Sequence, residues 1–108
     1  MTPRRRTGAW HCLVALVPLS VAGAAHADLN LAQVQGCLGC HQVERKLVGP
    51  ALKEVADRYR GDGEAEERLV RKVREGGKGN WGDILQPPNR TTSDADIRKL
   101  VRFILVLP

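Results

Sequence analysis

The run Cys37-Leu38-Gly39-Cys40-His41 constrains this chain more than any other stretch of its 108 residues. Two thiols three positions apart, with an imidazole directly after them, have the spacing of c-type haem attachment. On a helix, positions i, i+3 and i+4 share one face, so a helix over about 29–40 would point both thiols and the imidazole the same way. Thiols on consecutive turns can add across the two vinyl groups of one porphyrin edge. The next residue then presents its ring to the iron as proximal ligand. The competing chemistries fail on inventory. A structural zinc site takes four N or S ligands, and past the N-terminal segment the chain offers only these three Cys and His residues. A thioredoxin-like redox pair sits in a βαβ context, for which the sequence carries no pattern. An inert disulfide would not ask for His at the next position. The sequence therefore predicts one covalently attached haem c, with Cys37 and Cys40 as attachment points and His41 as the proximal iron ligand.

The segment before the motif reads as an address. Arg4-Arg5-Arg6 is followed by an apolar run from about Cys12 to Ala25, broken only by Pro18 and Ser20, and then by Ala25-His26-Ala27. A basic start, a short apolar stretch and a small-x-small site are the pattern of a secretory signal peptide. The run is too short to span a bilayer, and no Cys follows the small-residue site as a lipoprotein would require. The expected organisation is residues 1–27 as a cleaved signal and 28–108 as one domain, delivered to the periplasm with no membrane span after cleavage. Removal leaves 81 residues with 14 Lys+Arg against 12 Asp+Glu, so the formal charge of +5 falls to +2. The apparent basicity belongs mostly to the signal, and a nucleic-acid role loses its electrostatic footing. Cys12, His11, His26 and the chain's one methionine, Met1, leave with it.

Four helical patterns follow from period and punctuation. The first covers about 29–40 and carries the cysteines. The second follows Gly49-Pro50, with Leu52, Val55, Ala56 and Tyr59 on one face. The third runs over about 65–75, with Leu69, Val70 and Val73 apolar, and stops at Gly76-Gly77. Its Arg and Glu run reads as a solvated face with i,i+4 pairs such as Glu67–Arg71. The fourth begins at Ser93, where Asp96 three residues on fits a capping pattern, and carries Ile97, Leu100, Val101, Ile104 and Leu105. Between the last two lies a loop over about 76–92 with no strand pattern, long enough in so small a domain to suggest a functional role.

These residues resemble the short bacterial monohaem class I cytochromes c. The resemblance covers about 31–105 and includes Lys46-Leu47-Val48-Gly49-Pro50-Ala51, Gly79-Asn80-Trp81-Gly82 and Pro87-Pro88-Asn89. It implies an all-α class I fold, about four short helices wrapped around one covalent haem. It also implies a one-electron carrier that works with periplasmic redox partner proteins, as a monomer or a small subunit of a complex, rather than an enzyme in its own right. Beyond the iron there is no acid–base pair near the expected distal loop, and Asp83 is the nearest carboxylate. By the same resemblance Pro50 offers its carbonyl to the proximal imidazole N–H. Trp81 lies at the haem edge, with its indole toward a propionate, and Arg58 lies near a propionate. Gly36 is the small residue that lets the first and last helices cross closely, beside Phe103.

The family places an axial Met directly before Pro-Pro-Asn; here that position is Gln86, and residues 28–108 contain no Met. Thioether ligation raises the potential, so its loss lowers it. Three arrangements stay open: ligation by the Gln86 amide oxygen, an open sixth position, or another base such as Lys78. An open or Gln-ligated site also suits an alternative function, a haem-based binder or sensor of a diatomic gas such as NO or CO.

Overall fold

The computed structural model describes residues 22–108, in the order α1 (Ala22–Val34), a 3-10 turn (Cys37–Gly39), α2 (Leu52–Tyr59), α3 (Ala65–Glu75), β1 (Gly77–Gly79), β2 (Gly82–Gln86) and α4 (Asp94–Leu105). The signal-peptide expectation falls largely outside the described residues; α1 runs through the expected cleavage position without a break. Among the described residues no helix is long and apolar enough to cross a membrane.

α4 is the hub against which α1, α2 and α3 pack. Ile97, Leu100 and Val101 of α4 are buried with Leu52, Val55 and Ala56 of α2, Ala65 of α3 and Ala32 of α1. Much of that core is alanine, which lets backbones approach closely but buries little apolar area per residue. The α4 start is as the sequence predicts: Ser93 is the N-cap, and its side-chain oxygen accepts from the Asp96 N–H. α2 begins two residues later than a proline at its first position would suggest. Ala51 is its N-cap, and the Glu54 carboxylate accepts from the Ala51 N–H at 3.0 Å. The first N–H groups of a helix lack partners within it; those of Leu52 and Lys53 donate back to the Gln42 and Val43 carbonyls. The loop after the haem motif is thereby stitched to α2.

Four expectations are corrected. The cysteines do not ride on the first α-helix. That helix ends at Val34 because Gly36 turns the chain at φ +78, and the motif continues as a 3-10 turn. Gly36 is needed for this left-handed conformation and not for a close helix crossing, since an added Cβ would meet nothing within 4 Å. The 76–92 loop contains a two-stranded antiparallel hairpin, β1–β2, with Gly77 opposite Gln86 and Gly79 opposite Gly82. No alternation signals it, because three of its residues are glycines with positive φ and the backbone alone makes the pairing. Finally, the acidic start of α3 is engaged by α4. Arg98 reaches both Glu66 and Glu67, and Arg102 reaches Glu66, so the direct ion pair of Glu67 runs across helices, with Arg71 of its own helix adding a weaker attraction.

Those contacts carry a pH dependence. Hydrogen bonds from Arg102 and Arg98 hold Glu66 below its ordinary value of 4.5, and Arg98 does the same for Glu67. A carboxyl depressed in the folded state contributes stability above its unfolded value and loses it as pH falls through the folded one. The thermal midpoint of Glu66→Gln should therefore lie slightly below that of the parent at pH 7. The gap should narrow as pH falls below the ordinary value of 4.5 and the parent's Glu66 protonates. Melts followed by far-UV circular dichroism between pH 3 and 7 test this, and a gap that does not narrow by pH 3 contradicts it. The effect is small because the pairs are solvent-exposed.

Candidate haem site

Cys37 opens the 3-10 turn and Cys40, three positions on, is its C-cap; in such a turn i and i+3 fall nearly one above the other. The turn is closed by backbone bonds from Cys40 and His41 to the Cys37 carbonyl, at 3.2 and 3.0 Å. Both thiols are free; Cys40 is exposed and Cys37 half-buried. Burial pushes the Cys37 thiol up from its ordinary value of 9.0, and a backbone hydrogen bond only partly offsets this.

His41 is the best-defined side chain of the site. Its Nδ1 lies 2.9 Å from the Pro50 carbonyl oxygen. A carbonyl can only accept, so Nδ1 carries the proton and Nε2 keeps its lone pair for a metal. Pro50 is buried, which holds that acceptor in place. The ring also lies flat against Gly49, where an added Cβ would come within 2.8 Å of Nδ1 and 2.9 Å of Nε2, and closer still to Cε1. Nothing in the composition marks this glycine; its sequence signal is only that it directly precedes the proline of the cradle.

The structure brings Arg58 and Trp81 together. The guanidinium lies over the indole at 4.5 Å from the ring centroid, and Nη1 donates to the Asn80 carbonyl. A cation over an aromatic face is worth about 0.5–1 kcal/mol at an exposed site. The pair ties α2 to the tip of the hairpin. Gln86 stands at the end of β2, half-buried, with Gly77 opposite and Pro87-Pro88 beyond. Its placement depends on Gly76, where an added Cβ would fall 2.7 Å from the Pro88 nitrogen and 2.9 Å from the Pro87 carbonyl carbon. Lys78 and Asp83 lie on the same hairpin, exposed.

The residues present fit a haem. The donor set is two thiols and one imidazole with a single nitrogen left for iron, and these share one short turn and its exit. Around it, Leu47 and Val48 lead into the Gly49-Pro50 cradle, while Trp81, Ile84 and Leu85 line the hairpin. All five are large apolar side chains between 39% and 63% exposed. Exposed apolar side chains thus stand on both the segment before the cradle and the hairpin. Among the described residues no group of three or more His, Cys, Asp and Glu side chains could hold a bare metal ion.

Residues 22–108 match the family model described as cytochrome c. Cytochrome c-551 of Allochromatium vinosum is 53% identical over 94 residues, an alignment that covers 87% of this chain and 100% of that protein. Cytochrome c-552 of Nitrosomonas europaea is 46% identical over 99 residues, covering 92% of this chain and 96% of its own. The crystal structure of the wild-type Nitrosomonas europaea cytochrome c552 superposes with a TM-score of 0.72 at 45% identity, over 74% of this chain and 99% of that one.

Proposed function

The chain belongs to the cytochrome c family, and from that premise we propose that it is a periplasmic carrier of single electrons whose haem c is bound through Cys37 and Cys40 and ligated by His41. A single covalent haem c is the cofactor of this family, and its relatives are electron carriers rather than enzymes. The haem supplies a one-electron Fe(III)/Fe(II) couple; the residues of the chain determine how that couple is held. Cys37 and Cys40 anchor the porphyrin edge. The 2.9 Å bond from His41 Nδ1 to the buried Pro50 carbonyl is the observation that carries the reading. It fixes the tautomer and makes the imidazole a better donor. Trp81 and Arg58, stacked on each other, would supply the donors for the haem propionates. Residues 1–27 direct export and are removed, so the working protein is 28–108.

Gln86, in the position where the family has its axial Met, offers an amide oxygen as sixth ligand. A hard oxygen donor favours ferric iron and lowers the potential relative to a thioether. Its support is the backbone around it: the hairpin register opposite Gly77 and the close seat over Gly76 hold the residue at one place. One fact favours the second reading, a binder of NO or CO: the described residues contain no Met to close the sixth position. Voltammetry of the haem-loaded protein at pH 7, with ferric and ferrous absorption spectra recorded with and without CO, separates the two. A single reversible one-electron wave and a low-spin ferrous spectrum that CO alters only slowly are the expected result. A high-spin ferrous spectrum with rapid CO uptake, and no reversible wave, would overturn electron carriage in favour of gas binding.

A further inference from the structure

We infer that Arg74 is a positioning residue for the segment that carries Gln86, a guanidinium fork that locks residues 89–94 onto the end of α3; this rests on the reading of Gln86 as sixth ligand. Arg74 lies in the last turn of α3. Its Nη1 donates to the Asn89 carbonyl at 2.8 Å, its Nη2 donates to the Thr92 carbonyl at 2.9 Å and pairs with Asp94, and its Nε donates to the same Asp94 oxygen at 3.0 Å. One planar group thus holds three residues of a six-residue stretch. Only arginine presents donors in a rigid fork of this kind; a lysine is a point charge on a flexible stem.

The backbone around this fork leaves the segment little freedom. The Asn89 N–H donates to the Val73 carbonyl at 3.0 Å, next to Arg74 itself. Asn89 Oδ1 accepts from the Thr91 and Thr92 N–H groups, and the buried Thr92 hydroxyl donates to Gln35 at the end of α1 at 2.7 Å. At the other end Gln86 is paired with Gly77 and seated over Gly76. Pro87 and Pro88 lie between the two anchors with φ locked, so displacement at Asn89 is carried back to Gln86 instead of being absorbed. The charges reinforce the placement. The carboxyl end of α3 favours the Arg74 cation, and the first turn of α4 favours the Asp94 anion. An amide oxygen binds ferrous iron less firmly than a thioether, so slack in this segment should appear as loss of the ligand, first in the ferrous state.

The test uses haem-loaded Arg74→Lys, Gln86→Ala and the double variant. It reads ferric and ferrous spectra, the rate of CO association with the ferrous protein, and the thermal midpoint. Arg74→Lys is expected to increase the high-spin fraction and speed CO association about tenfold, in proportion to the fraction of molecules whose sixth position is open. In the Gln86→Ala background the same substitution should change neither, because the residue through which it acts is gone. If Arg74→Lys lowers the midpoint but leaves spectra and CO rate unchanged, or acts equally in both backgrounds, Arg74 is structural only and the inference fails. If Gln86→Ala alone alters neither readout, it is the Gln86 reading that fails, and the inference with it. Should Arg74→Lys not load haem, Asp94→Asn carries the test with a smaller shift in the same direction. Its side chain is 83% exposed and serves here to orient the guanidinium.

Discussion

Replacing Gly49 with alanine is expected to drive the His41 imidazole out of its seat and destabilise the haem-loaded protein by about 1–3 kcal/mol, the usual range for overpacking a closely filled site. An added methyl group would lie 2.8 Å from Nδ1 and 2.9 Å from Nε2, well inside van der Waals contact. Neither side can retreat. The ring is tied through Nδ1 to the Pro50 carbonyl at 2.9 Å, and the Gly49 N–H is itself committed to the Cys40 carbonyl at 2.8 Å. The glycine is therefore required by the close approach of a side chain, and its φ is unremarkable. Chemical denaturation followed by Soret absorbance, beside ferric and ferrous spectra, checks the prediction. Unchanged stability and an unchanged ferric spectrum would mean that the ring turns freely, and that the Pro50 hydrogen bond does not hold the proximal ligand.

The second large effect is expected at the opposite side. Gln86→Met places a thioether at the position from which the family donates one, on a backbone already held by Gly76, Gly77 and the Arg74 fork. A thioether favours ferrous iron, so the midpoint potential should rise. The rise should be at least about 60 mV, the one-electron equivalent of a tenfold change in the ferric–ferrous balance. The ferrous variant should be low-spin and slower to take up CO than the parent. Equilibrium redox titration of both proteins under identical conditions is the measurement. Equal potentials and equal CO rates would show that residue 86 does not reach the iron, and would return the sixth position to an open site or to another base.

The attachment motif, the number of helices, the start of α4 at Ser93 and the end of α3 at Gly76 were legible in the chain. Each depends on interactions within a few residues: thiols three apart, a side-chain cap, a glycine at a helix end. The hairpin was not legible, because Gly77, Gly79 and Gly82 have no side chains with which to show a period of two. Nor was the change from α-helix to 3-10 turn at Gly36. The thiol spacing suits either geometry, and the choice follows from a single positive φ.

What the sequence by itself determined is the chemistry: two thiols and one imidazole in register for a haem, and, through its family resemblance, Gln86 where a thioether is expected. Those are matters of residue type and local spacing. What only the tertiary structure decided is how the ligands are held. Pro50 reaches His41 across nine residues, Arg74 reaches Asp94 across twenty, and Thr92 reaches Gln35 across fifty-seven. Hydrogen bonds of that range depend on where helices α1, α3 and α4 finally rest. Helix packing is driven by apolar burial, which has no direction of its own, so no local pattern can announce which donor will meet which carbonyl.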